Sequence, residues 1–251
     1  EPYRRQRQMC IRDSNNKGDI MRDIDLSKYE TRTDLVADLV DEDFEYEKKY
    51  SYKGILVSNI ELDRESASSL GRKEGLYTTI SFSDITDKDN YSDCLHVLEK
   101  ELRKMFSRTG IGLNSSCMVI GLGNERSTAD ELGVKSAKNV IVTRHIYDLT
   151  GSLEEGFRVS MCLIPGVMGT TGIETSDIVY SVVNRVNPGF LIIIDALASD
   201  SVDRLLKTIQ ITNTGINPGS GIGNNRKEIS SDIFDIPVIA IGVPTVAVSY
   251  T

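Results

Sequence analysis

Phe190-Leu191-Ile192-Ile193-Ile194-Asp195 decides the fold: five apolar residues in unbroken succession, closed by a carboxylate. A short continuous run rich in β-branched residues suits a strand buried on both faces, since neither face of the pleat carries a polar group to meet water. Runs of the same kind recur at Cys117-Met118-Val119-Ile120, Val140-Ile141-Val142, Val159-Ser160-Met161-Cys162-Leu163-Ile164 and Val238-Ile239-Ala240-Ile241. Between two of them Ile178, Val179, Val182, Val183 and Val186 form a stripe at helical spacing, suited to a layer packed on a sheet. Doubly buried strands need helices above and below them. The chain from Ser116 onward therefore reads as α/β, a three-layer sandwich around a mostly buried central sheet.

Upstream the pattern is different. Gly54-Ile55-Leu56-Val57 and Tyr77-Thr78-Thr79-Ile80-Ser81-Phe82 are strand-like, with polar, glycine-punctuated spacers that suit a small antiparallel N-terminal element. Leu95, Leu98, Leu102 and Met105 then mark a helix that contains His96. Residues 21–50 are dense in charge and lack periodicity, and the acids Asp38, Asp41, Glu42, Asp43, Glu45 and Glu47 read as a solvated arm. Arg4, Arg5, Arg7 and Arg12 are followed by no apolar segment, so they do not begin a secretory signal; residues 1–20 read as a non-native extension.

With 39% hydrophobic and 26% charged residues the 251-residue chain can bury a core. A net charge of -8 argues against a nucleic-acid-binding surface, and no apolar run approaches a membrane span. Cys10, Cys94, Cys117 and Cys162 form no C-x-x-C pair and no zinc spacing, which leaves free thiols in a reducing compartment as the expectation.

Three glycine-rich loops follow apolar runs. Gly121-Leu122-Gly123-Asn124 leads to Thr128-Ala129-Asp130-Glu131, where Thr128 and Glu131 have capping-box spacing. Asp130 would then complement the helix dipole, the commoner role for an acid in a first turn. Neither a dinucleotide glycine spacing nor a Walker lysine is present. Asp195 follows its strand directly, at the edge where open α/β sheets bind ligands, and it could equally cap a helix near Ser201. Pro165-Gly166-Val167-Met168-Gly169 precedes Glu174 and Asp177, which suit a helix N-terminus; Gly166, Gly169, Glu174 and Asp177 are candidates to line a site. Gly219 and Gly221, in the loop 217–224, are candidates for peptide contact. His145 ends a strand-like run and could reach the edge that carries Asp195, whereas Cys162 lies in a buried run where thiols are usually inert. No H-E-x-x-H occurs.

Taken in order, these segments resemble the spore germination protease family. The motifs are Leu26-Ser27-Lys28-Tyr29, Arg32-Thr33-Asp34-Leu35, Gly121-Leu122-Gly123-Asn124, Thr143-Arg144-His145, Ile164-Pro165-Gly166-Val167-Met168-Gly169, Gly172-Ile173-Glu174-Thr175-Ser176-Asp177 and Ile194-Asp195-Ala196-Leu197-Ala198. They continue with Pro218-Gly219-Ser220-Gly221, Asn225-Arg226-Lys227-Glu228-Ile229-Ser230 and Ile236-Pro237-Val238-Ile239-Ala240-Ile241-Gly242. The resemblance implies a fold shared with hydrogenase-maturation peptidases and an endopeptidase of aspartic type, with Asp130 and Asp195 as catalytic acids and no cofactor. It also implies small acid-soluble spore proteins as substrates, a homotetramer, and a cytoplasmic place in the forespore and spore core. By the same resemblance residues 21–34 are a propeptide cut between Asp34 and Leu35, an accessible arm by its charge. Residues 35–251 are then a catalytic domain truncated at its C-terminal end. The competing readings are a metal-dependent maturation peptidase using Asp130, Asp195 and His145, and a non-enzymatic α/β module that binds peptide.

Overall fold

In the computed structural model the described residues are 33–40, 44–217 and 227–247, all within one compact unit, Arg32–Thr251. The buried runs become parallel strands: β4 (Cys117–Gly121), β5 (Ser160–Leu163), β6 (Phe190–Ser199) and β8 (Val238–Ala247). The upstream strands β1 (Glu47–Tyr52), β2 (Ile55–Leu62) and β3 (Gly75–Ser81) pair antiparallel. They do not form a separate small element. β7 (Thr208–Thr212) pairs antiparallel with both β3 and β8, so one mixed sheet runs β1-β2-β3-β7-β8-β6-β4-β5.

Helices cover both faces. α2 (Lys88–Arg108), opened by Asp87 accepting from Asn90 N at 2.8 Å, packs Cys94, Val97 and Met105 against Ile55, Val57, Ile80, Ile211 and Ile239. α6 (Thr175–Val186) buries Val179 and Val183 against Met118, Ile120, Leu191 and Ile193 on the other face. Each such buried aliphatic contributes roughly 1.5–3 kcal/mol. The shorter helices are α1 (Arg64–Ser69), α3 (Leu132–Lys138), α4 (Arg144–Thr150), α5 (Met168–Thr171) and α7 (Ser231–Phe234).

Four expectations are corrected here. Val140, Ile141 and Val142 form no strand: they link α3 to α4, and Ile141 is 69% exposed, because β5 takes the place beside β4. The α2 stripe fails at its first residue: Leu95 is 52% exposed and Cys94 turns inward, while Met105 is buried and Leu98 and Leu102 pack against the same core. The acidic arm is only partly an arm, since Leu35 and Val36 are fully buried and Glu47 opens β1. Thr128 and Glu131 form no capping box; 128–130 is a 3-10 turn, and α3 begins only at Leu132.

α3 sits against the sheet backbone to backbone. A Cβ at Gly133 would lie 2.2 Å from the Ile194 carbonyl oxygen and 2.3 Å from that of Leu122, so no side chain fits. Gly133→Ala is expected to destabilise the fold by roughly 3 kcal/mol, the upper end of overpacking costs, because backbone atoms cannot yield as side chains do. Gly169→Ala, where a Cβ meets nothing within 4 Å, is expected to change stability by less than about 0.5 kcal/mol. Urea unfolding of the two variants checks both, and equal midpoints would refute the close-packing argument.

Candidate active site

Asp130 is carried by the turn that leaves β4. Gly123 has φ +106, and a Cβ there would lie 2.0 Å from the Asp130 carbonyl oxygen, so only glycine lets the chain double back at this point. Asn124 N donates to that carbonyl at 2.9 Å, and Thr245 Oγ1 from β8 donates to the Ala129 carbonyl at 2.6 Å. The turn is thus tied at both sides.

Asp195 lies on the neighbouring strand, directly after Ile194, whose carbonyl accepts from Leu122 N at 2.9 Å. It does not end its strand: β6 continues to Ser199, paired with β8 through Asp195↔Gly242. Ser201 opens a 3-10 turn with no side-chain cap, so the capping role considered for Asp195 is not realised. Asp195 is 6% exposed, and its Oδ1 accepts from Ala196 N at 2.9 Å. Asp130 is half-buried. Both line one cleft of about 500 Å³, together with Gly123, Gly166, Thr175 and Gly242.

The other candidates divide. Gly166 lines the cleft, its carbonyl accepting from Thr175 Oγ1 at 3.1 Å. Gly169, on α5, does not line it. Glu174 is the residue before α6, with Oε1 buried and unpartnered among the described residues. Asp177 is exposed and pairs with Lys227 at 2.7 Å. Gly219 and Gly221 lie outside the described residues. His145 is exposed on α4 rather than at a strand end, and it does not line the cleft. Burial pushes the Cys162 thiol up, and its Sγ donates to the Ala137 carbonyl at 3.3 Å, so a Cys162–His145 nucleophile is not assembled. Cys94, Cys117 and Cys162 are free thiols. Among the described residues no cluster of three His, Cys, Asp or Glu side chains is placed to hold a metal, and no helix is long and apolar enough to cross a membrane.

What the sequence did not disclose is that the chain lays its own backbone into this cleft. Asp34 lines it, and Thr33, Leu35 and Val36 are buried, so the Asp34–Leu35 junction is not an accessible arm. Asp34 N donates to the Ala198 carbonyl at 2.8 Å, and Ala198 N donates back to Asp34 Oδ2 at 2.8 Å. Gln210, on β7, gives Nε2 to the Asp34 carbonyl at 3.1 Å and takes Val36 N on Oε1 at 2.9 Å. Arg72 donates to the Thr33 carbonyl. Asp38 anchors the far end through Arg204 Nε at 2.6 Å and Ser199 Oγ at 2.8 Å. No sequence motif marked Gln210, Arg72 or Asp38. The one available signal was a long amide side chain between two isoleucines in 208–212.

A sequence profile described as germination protease matches residues 24–251. The chain is 43% identical over 249 residues to a germination protease of Priestia megaterium, covering 92% of this chain and 67% of that one. It is likewise 43% identical over 244 residues to one of Bacillus cereus (91% and 66%), and 43% over 251 residues to one of Geobacillus sp. (92% and 68%). The chain thus spans about two thirds of the length of these curated relatives.

Asp200 lies beside Asp38, its N–H donating to Asp38 Oδ2 at 3.4 Å. Partial burial first, then a hydrogen bond and charge repulsion from Asp38, push its carboxyl up to about 6. Asp200 therefore holds its proton more tightly folded than unfolded. Stability from this group is greatest below the ordinary aspartate value of about 4 and is lost as pH rises through about 6. Melting temperature followed over that range should fall more steeply with rising pH for the native protein than for Asp200→Asn; parallel profiles would refute the coupling.

Proposed function

The chain belongs to the germination protease family, and from that premise we propose that it is an endopeptidase of aspartic type that cuts small acid-soluble spore proteins during germination. The observation that carries the reading is the placement of Asp130 and Asp195 on one cleft with a length of peptide backbone laid into it. Peptide hydrolysis by two carboxyl groups needs one ionised and one protonated. The ionised group takes a proton from water as the water oxygen bonds to the carbonyl carbon; the protonated one gives its proton to the departing nitrogen. Asp130 and Asp195 supply that pair, from the turn after β4 and from β6.

The docked segment supports a zymogen. Asp34 lines the cleft that a substrate peptide would enter, and we take the maturation cut to fall at Asp34–Leu35, within the docked segment. A buried junction held by Gln210, Arg72 and Ala198 is one the enzyme's own cleft can reach, rather than one offered to an outside protease. We extend the same reading to a homotetramer in the cytoplasm of the forespore and spore core. The metal-dependent reading loses support, because His145 lies on the exposed face of α4, away from the two aspartates.

Asp130→Asn and Asp195→Asn should each lower turnover of a spore-protein substrate by about 10²-fold or more, with melting little changed, because either the acid or the base is deleted. The double variant should be no worse than the worse single one, since the two act as a unit. Asp177→Asn, which removes only the exposed pair with Lys227, should keep its turnover. A folded Asp130→Asn or Asp195→Asn protein with near-normal turnover would sink the two-aspartate mechanism.

A further inference from the structure

We propose that Gln210 is the residue that holds and polarises the carbonyl of the peptide bond to be cut, its side-chain amide fixing the register of any peptide laid along β6. The inference rests on the reading of Asp130 and Asp195 as the hydrolytic pair and adds a third group to it.

The sheet itself sets up the geometry. Gln210 on β7 is the cross-strand partner of Gly242 on β8, and Gly242 is the partner of Asp195 on β6. Side chains of directly paired residues project from the same face of a sheet. Gln210 and Asp195 therefore stand on one face, two strand spacings or roughly 10 Å apart, with a glycine between them. No side chain rises from Gly242 itself; Leu197 of β6 packs over it, its Cγ 2.4 Å from where a Cβ would stand, and all four residues line the cleft. A peptide passing over Leu197 meets a carboxylate on one side and an amide on the other.

Gln210 is 6% exposed, and a buried amide must have both its donor and its acceptor satisfied. Its partners are not other side chains. They are the carbonyl of Asp34 (3.1 Å) and the N–H of Val36 (2.9 Å), two backbone groups that flank Leu35. Every peptide presents that pair in that order, so the grip is independent of the side chains it brackets. Nε2 points at the carbonyl oxygen of the Asp34–Leu35 bond. When water adds to that carbon the oxygen gains negative charge, and a fixed donor at hydrogen-bond distance stabilises it more than it stabilises the ground state. The Ala198 backbone, which exchanges hydrogen bonds with Asp34, holds the peptide on the β6 side. Gln210 holds it from the β7 side.

The test separates donor from acceptor. Gln210→Glu keeps the length and the oxygen that takes Val36 N, but it replaces the donor facing the Asp34 carbonyl with another acceptor. Gln210→Met removes both. Cleavage of a small acid-soluble spore protein is followed for both variants, with Asp195→Asn alongside. Hydrogen exchange at the amides of Asp34, Leu35 and Val36 in the uncleaved protein reports docking without any need for turnover. For Gln210→Glu we expect kcat to fall by about 10²-fold with KM within about threefold, as for loss of one oxyanion donor. For Gln210→Met, kcat should fall, KM should rise, and Val36 protection should drop. Native kcat in a folded Gln210→Glu protein would overturn the inference while leaving the aspartate pair intact. Native kcat in Asp195→Asn would instead sink the underlying reading, and the Gln210→Glu result would then judge the carbonyl grip on its own. Should Gln210→Glu fail to fold, Gln210→Met decides: unchanged kcat and unchanged Val36 protection overturn the inference.

Discussion

The carbonyl oxygen of Ile194 sits where two close approaches meet. It accepts Leu122 N at 2.9 Å, which carries the pairing of β4 and β6 one residue beyond the ladder, and a Cβ at Gly133 would lie 2.2 Å from it. Two strands and a helix therefore touch at backbone distance around one atom, and they can do so only because Gly121, Gly123 and Gly133 have no side chains. A Cβ at Gly121 would meet the Gly133 carbonyl at 2.3 Å; one at Gly123 would meet that of Asp130 at 2.0 Å. Every larger residue would lift α3 from the sheet and carry the 3-10 turn with it. Asp130 is where it is because α3 lies flat, and Asp195 is where it is because β6 is the strand against which α3 lies. Placement of both carboxylates reduces to this single packing constraint.

A second constraint is polar. Residues 33–36 put main-chain donors and acceptors into a buried place, where an unsatisfied group costs about 1–3 kcal/mol. The fold meets that demand with Ala198, Gln210 and Arg72, while burial of Leu35 and Val36 supplies the apolar gain. At the outer end Asp38 draws Arg204, Ser199 and Asp200 together. Side-chain specificity enters this docking through the buried Leu35 and Val36 and through the polar groups of Thr33, Asp34 and Asp38. The rest is backbone recognition, and backbone recognition is what a cleft that accepts a chain in extended form requires.

The parallel half of the sheet was legible because doubly buried strands leave an unmistakable trace: Phe190 to Ile194 and Val238 to Ile241 are apolar without interruption. Asp195 was expected to end its strand, whereas β6 runs on to Ser199, and the pairing of Asp195 with Asp130 came from family likeness alone. β7 was not legible, because Thr208-Ile209-Gln210-Ile211-Thr212 alternates and so resembles a half-exposed strand, although four of its five residues are buried. Its central Gln210 is covered by the docked N-terminal segment, a contact between residues 174 apart in the chain that no local pattern encodes. His145 misled for a related reason. Val140, Ile141 and Val142 have strand composition, but β5 and β6 occupy both places beside β4, so the run is left as a linker and His145 falls in the first turn of α4 instead. Leu95 misled by one residue, since a helix with apolar side chains at both 94 and 95 gives periodicity no means of choosing between them.

The mixed character of the sheet explains how one cleft comes to hold groups of opposite use. β8 is the seam: it runs parallel to β6 and antiparallel to β7. Parallel strands point their carboxyl ends one way, and that is the edge where loops converge and acids such as Asp130 gather. Antiparallel strands have no common carboxyl end, so a residue from the middle of β7 can be brought abreast of a residue well along β6. The row Gln210, Gly242, Asp195 exists only because the direction of the chain reverses at β8. In an all-parallel sheet, position 210 would need a crossover helix to reach this register, and that helix would lie over the space the peptide occupies. A protein-sized substrate needs an open groove with a grip on one wall and a carboxylate on the other. A sheet that changes direction once sets Gln210 and Asp195 on one face, with Leu197 packed over the glycine between them.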